Sequence, residues 1–442
     1  MSVRVGQEVQ EVLWDRMSQS PEGLPNAVRT RIVLYLGGLI MLLGLGGPYH
    51  ALIDLPISFF LKNKLHLASH DVANFRLIAA IPLYLGFVFG FIRDVWNPFG
   101  RGDRGYMILF GAIAAALYGL FAFIPVTYAT LLAAMLLLST AFLFVSSAQH
   151  GLTAAMGQQH VMSGQISTAW NIFASVPLVA AYFFGGVLSQ TLEGRDADQA
   201  ARILFLVGAA IMAGVAAYGL WRPASVYANI REERAARPTP LADLKRLVKH
   251  WPIYPALLCW FLFNFSPGSS TPLQFYLQNT LHATDAQWGQ WNAIFVVSFV
   301  PTYLLFGLLC RKYPLKTLLF WGTLVAVPQM IPLAFIHTVN ESMWAAAVIG
   351  LLGGVISAAQ YDLIIRSCPP GLQGVTWMMA GALYYLAVRF GDVLGTSLYD
   401  HFHNFNACVI AITVVYALIL PVLLLVPKRL IATADGESAP AA

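Results

Sequence analysis

Five charged side chains stand inside otherwise apolar runs of this chain: Asp54, Arg76, Asp362, Arg389 and Asp392. A carboxylate in such surroundings can take up and release a proton, and a guanidinium there can hold an anion through paired hydrogen bonds. His50 precedes Asp54 by four residues and comes shortly after Gly46, Gly47 and Pro48. A span interrupted by Gly and Pro beside ionisable groups is the sequence pattern of a solute site within a membrane. Asp54 is therefore the leading candidate for proton coupling or solute contact, with an ion pair to Arg76 as the structural alternative. Arg389 and Asp392 are three apart and share a helix face. Either they neutralise each other, or Arg389 holds an anionic solute.

Uncharged polar groups add to this set. Asn171 beside Trp170, Asn264, and Gln274 with Tyr276 suit recognition of a heterocycle, but amides also join helices by hydrogen bonds inside a bilayer. His150 has either a titrating role near neutral pH or an ordinary interfacial one. Gln360 and Asp362, near one end of their span, fit an inner gate as well as solute contact. Asp400, His401 and His403 in "YDHFHNF" have metal-ligand chemistry, yet their spacing is weak and no other ligand cluster lies nearby in sequence. No metal or other cofactor is expected. A phosphate-cradling glycine loop followed by lysine is missing from the sequence, which argues against ATP hydrolysis, and an enzyme is not expected.

The elements that must carry these residues follow from composition. Of 442 residues, 58% are hydrophobic and 11% charged, against roughly 45–50% and 25% in an ordinary soluble protein. Residues 32–61 form an apolar run longer than the roughly 20 residues that cross a bilayer, and comparable runs follow. Spans are expected near 33–61, 72–92, 106–124, 127–150, 161–190 and 201–221, then near 252–278, 287–309, 316–336, 342–365, 374–398 and 405–427. The expected plan is an N-terminal tail (1–32), a six-helix bundle (33–221), a polar linker (222–250), a second six-helix bundle (251–427) and a tail (428–442). The four cysteines, Cys259, Cys310, Cys368 and Cys408, are scattered and read as packing residues. Residues 1–30 lack the apolar run of a cleavable signal, so the first span is expected to act as its own insertion signal.

With the N-terminus inside, 20 Lys and Arg fall on one side and four on the other. This bias predicts cytoplasmic termini, and the short loops point to a plasma membrane, the inner one if the cell is Gram-negative. It also accounts for the net charge of +5 without nucleic acid as a partner. The embedded charges fall on the first, second, tenth and eleventh spans. If every third helix faces lipid, the third, sixth, ninth and twelfth would lack them, since a buried charge costs roughly 2.5–3.5 kcal/mol on insertion scales.

The loop "GFIRDVWNPFGRGDRGY" (90–106) carries Arg93, Asp94, Arg101, Asp103 and Arg104 between two apolar runs. A weak counterpart, "GLLCRKYPLKTLLFWG", follows the eighth span, with Gly307 four residues before Arg311 as Gly90 is before Asp94. Two parallel repeats would produce this match. Gly90, Asp94, Gly100, Arg101 and Arg104 resemble the loop 2-3 signature of the major facilitator superfamily. The insertion "VWNPF" and three further segments, "LPISFFLKNKLHLAS", "FLFNFSPGSSTPLQFYLQNTLHATDAQWG" and "RSCPPGLQGVTWMMAGALYYL", resemble its folate-biopterin transporter branch. The chain departs from that branch on the fourth span, where Gln149 and His150 stand without a carboxylate.

The resemblance implies an all-helical, twelve-span secondary transporter working by alternating access as a monomer in the lipid bilayer, on a folate- or pterin-like solute and with protons as the coupling ion. It also implies that Gly90, Asp94, Arg101 and Arg104 form a cytoplasmic latch holding one of two arrangements. A carrier of another organic anion, a siderophore or a cell-wall fragment is the alternative, as is a non-transporting assembly factor or receptor on the same fold.

Overall fold

The computed structural model describes residues 25–67, 69–193, 195–227, 240–269 and 271–437. Most of the N-terminal tail, the middle of the linker and the last five residues lie outside this set, and with them the expectations placed there. The described chain is helical throughout. Its first part contains α1 (Asn26–Gly46), α2 (Ala51–Phe59), α3 (Ser69–Ala79), α4 (Gly86–Val95), α5 (Asp103–Phe121), α6 (Tyr128–Gln159), α7 (Ser163–Glu193) and α8 (Ala197–Tyr218). After the linker come α9 (Ile253–Asn264), α10 (Thr271–Phe275), α11 (Asp285–Leu309), α12 (Leu315–Ala326), α13 (Val339–Ser367), α14 (Gln373–Phe402) and α15 (Asn406–Ala417).

Among the described residues, eight helices are long and apolar enough to cross a membrane: α1, α5, α6, α8, most of α11, α12 extended to Ala334, α13, and α15 extended to Leu423. Of the expected spans outside this group, 161–190 is the single helix α7, 374–398 lies in α14 with Arg389 and Asp392, and 72–92 and 252–278 are broken. Gly47 and Pro48 stop α1, and the free carbonyl of Leu43 accepts both the Gly47 N–H and a hydrogen bond with His50 Nδ1 at 2.8 Å. The expected second span is divided into α3, a single turn at Ile81–Tyr84 and α4. Pro82 lies in that turn and lacks the N–H a continuous helix requires. Pro267 and Gly268 likewise separate α9 from α10, with Gly268 at φ +100°. The sequence "NFSPGSS" already carried that break, but only the first span was expected to be interrupted.

Other helix starts are set by local capping. Thr127, Thr284 and Thr338 each accept the N–H three residues on, while Thr130, Gln287 and Glu341 reach back, satisfying two otherwise free donors at each end. The buried apolar side chains form two large clusters. One draws on residues 32–227, with Ile365, Cys368 and Trp377 added, and the other on residues 247–431. The three added residues lie where α13 and α14 press against the first part of the chain. All four cysteines are buried free thiols.

Candidate functional site

At the end of the molecule that carries the basic loops, here called the basic end, Arg93 is 3% exposed and holds two buried aspartates. Its Nη1 donates to Asp94 Oδ1 at 2.6 Å and its Nε to Asp103 Oδ1 at 2.7 Å. Asp94 then accepts the N–H of Gly374 at 3.3 Å and of Val375 at 2.8 Å, both in the first turn of α14. That turn has free N–H groups and a positive dipole end, so an anion is favoured there. Gly90 allows the approach, because a Cβ at that position would meet the Gly374 carbonyl oxygen at 2.6 Å.

Of the residues expected in this loop, Gly90 and Asp94 meet α14. Arg104 does something different: it donates to the carbonyls of Gly219 and Leu220 at 3.0 and 2.7 Å, capping the end of α8. Arg101 is exposed. Arg93 and Asp103 were visible as charges but were not singled out, since nothing in sequence indicates that they sit on either side of one buried centre. The basic end is closed by further bonds between the two parts of the chain. Gln158 donates to the carbonyls of Ile365 and Cys368 at 2.8 and 2.7 Å and accepts from Gln373 at 3.0 Å, while Arg366 donates to Ser163 at 3.0 Å.

Above this layer lies a group of rings contributed by both parts of the chain. The ring of His150 on α6 is 4.8 Å from Trp170 on α7 and 5.4 Å from Trp377 on α14. Tyr361 on α13 is 6.1 Å from Trp170, 6.0 Å from Trp377 and 4.7 Å from Trp260 on α9. Spacing along a single chain could not have assembled this group, which draws one ring from each of five helices. Ser146 holds His150 Nδ1 at 3.1 Å.

Toward the opposite end, Asp54 and Arg76 form an ion pair at 3.6 Å with side chains 30% and 44% exposed. The charge of Arg389 on α14 also acts on Asp54, which associates three of the expected residues. Arg389 follows Trp377 by twelve residues, about 18 Å along the helix. Asp392 has a separate position: its carboxylate accepts the Thr271 N–H at 2.9 Å and the Thr271 hydroxyl at 2.8 Å, capping α10. Asn171 and Asn264 donate to carbonyls of their own helices, Ser167 and Trp260, each at 2.8 Å. Gln274 reaches Gln278 at 3.3 Å and Tyr276 donates to Ile336 at 3.2 Å. His50 is committed to the broken end of α1. Among the described residues, no three His, Cys, Asp or Glu side chains converge as metal ligands.

Residues 163–396 match the family model described as Major Facilitator Superfamily. The chain belongs to the Major Facilitator Superfamily. It is a multi-pass membrane transporter, not an enzyme. Its sequence is 24% identical over 368 residues to the folate-biopterin transporter of Synechocystis sp., covering 78% of this chain and 70% of that protein. Among solved structures it resembles the superfamily transporter FucP in the outward conformation (TM-score 0.64, 14% identity, 89% of this chain and 98% of that one). It also resembles the human organic anion transporter MFSD10 (TM-score 0.60, 16% identity, 90% and 100%). These structural likenesses establish the shared fold.

Proposed function

We propose that the protein is a proton-coupled carrier of a folate- or pterin-like solute that works by alternating access between two six-helix bundles, residues 33–221 and 251–427. The observation that carries this reading is the ring group of His150, Trp170, Trp260, Tyr361 and Trp377, drawn from both parts of the chain. A flat heterocycle stacks on such a surface and loses little on meeting any one face. Arg389, about 18 Å further along α14, suits a carboxylate at the other end of an elongated solute. The distant relative named a folate-biopterin transporter supports the same class.

In this reading the basic end is cytoplasmic, by the bias of Lys and Arg, and the twelve expected spans include the interrupted ones. The structure then represents the state closed to the cytoplasm. Asp54, paired with Arg76 and within the influence of the Arg389 charge, is the coupling carboxylate: protonation would weaken the hold on both guanidinium groups and leave them to a solute anion. The protein works as a monomer.

The test is uptake of labelled folate by proteoliposomes containing the purified protein, with and without an imposed pH gradient, beside empty vesicles. Gradient-dependent uptake is expected. A signal only from other solutes in a parallel panel of organic anions would remove the folate assignment and keep a carrier of another anion.

A further inference from the structure

A second arginine at the basic end repeats the arrangement around Arg93. Arg366, at the end of α13, donates through Nε to Asp362 Oδ1 at 2.8 Å and through Nη2 to Asp435 Oδ1 at 3.0 Å. Asp435 in turn accepts the N–H of Gly164 at 3.1 Å and of Gln165 at 2.9 Å, in the first turn of α7. Asp94 does the same for the first turn of α14. Each aspartate crosses to a helix of the other part of the chain, and each is held by one arginine that also holds a second aspartate.

The two arrangements differ in the source of the acid. In the first it lies in the loop, four residues after Gly90. The matching position after Gly307 is Arg311, a cation unsuited to a helix N-terminus. Asp435, 124 residues further along the chain, fills the vacant role from the C-terminal tail. It is 7% exposed.

The tail is fixed to the second part of the chain by several bonds. Asp435 N–H donates to the Cys310 carbonyl at 2.9 Å, the Leu315 N–H to the Thr433 carbonyl at 3.3 Å, and Arg366 Nη1 to the Thr433 carbonyl at 2.9 Å. It reaches the first part through Gly164, Gln165 and the bond from Gly436 N–H to the Val161 carbonyl at 2.8 Å. Terminal segments stay ordered only when bonded in this way. Separating the two parts at the basic end breaks the second set of bonds and leaves the first intact.

We infer that residues 428–437 form a second latch, in which Asp435 is a positioning residue that holds α7 against α13 while the basic end is closed. The latch rests on the alternating-access reading but not on any solute. Release of Asp435 from α7 accompanies opening, so whatever engages the tail sets the balance between the two states.

The native cysteines test this without labels. Cys310 lies directly under Asp435, while Cys368 is buried where α13 meets the first part of the chain. Alkylation of the full-length protein in inside-out membrane vesicles, read cysteine by cysteine by mass spectrometry, separates tail release from opening. Asp435→Asn is expected to raise labelling of both Cys310 and Cys368 roughly fivefold or more. Asp94→Asn is expected to raise Cys368, with Cys310, which also packs against Gly164 of α7, rising less because the tail still covers it. If Asp435→Asn exposes only Cys310, or neither, while Asp94→Asn exposes Cys368, the tail is a cover and the inference is overturned. If neither variant exposes Cys368, the alternating-access reading of this end falls with it. Cys259 and Cys408 report unfolding in the same spectra. Should they label in Asp435→Asn, a chain ending at Ala434 removes Asp435 and Gly436 together and is expected to raise labelling of Cys368 in the folded protein; wild-type labelling of Cys368 there would again overturn the latch.

Discussion

Asp94 accepts the backbone N–H of Val375 at 2.8 Å, joining residues 281 positions apart in the chain through a carboxylate that Arg93 also holds. The arginine offsets two buried carboxylates, so its removal takes that counter-charge from both Asp94 and Asp103. Arg93→Met is expected to destabilise the protein by about 3–5 kcal/mol, the range for breaking a buried ion pair from one side. Asp94→Asn is expected to cost less, since Arg93 keeps Asp103. Thermal unfolding in detergent compares them, and a wild-type midpoint for Arg93→Met would contradict the buried-triad account.

The Asp54–Arg76 pair leads to the opposite expectation. Its side chains are 30% and 44% exposed at 3.6 Å, and ion pairs of that kind contribute about 0–1 kcal/mol to stability. Asp54→Asn should therefore unfold almost as the wild type does yet lose at least about tenfold in gradient-driven uptake. Arg389→Ala should raise the KM for an anionic solute. Full uptake by either variant would take that residue out of the transport cycle.

The long apolar spans, the break after Gly47 and the acid of the loop after the second span were legible from composition, Gly–Pro chemistry and the spacing of Gly90 and Asp94. What escaped the sequence were relationships between distant positions. Asp392 is three residues from Arg389, which suggested mutual neutralisation, but α14 passes the start of α10 and gives the carboxylate to Thr271 instead. Arg104 was expected in a latch, and its bonds to the end of α8 could not be read from spacing. Asp435 was one acid in a polar tail, and only the folded chain shows it at the first turn of α7. The ring group had no sequence signal because each member comes from a different helix.

Removing that cap on α10 tests what Asp392 does. Asp392→Ala is expected to lower stability by about 0.5–2 kcal/mol, the usual loss for a helix cap, with Asn restoring most of it. Uptake per folded molecule should keep its KM. A raised KM with unchanged unfolding would return Asp392 to the solute site.

Among the rings, Trp377 and Trp170 meet edge to face across the two parts of the chain with centroids 5.5 Å apart. Replacing either by Ala should weaken binding of a flat heterocycle by about 1–3 kcal/mol, the range measured when an aromatic stacking partner is removed, whereas Phe should recover much of the loss. Quenching of tryptophan fluorescence by the added solute gives the affinities directly. Equal affinity in Trp377→Ala and wild type would place the solute elsewhere.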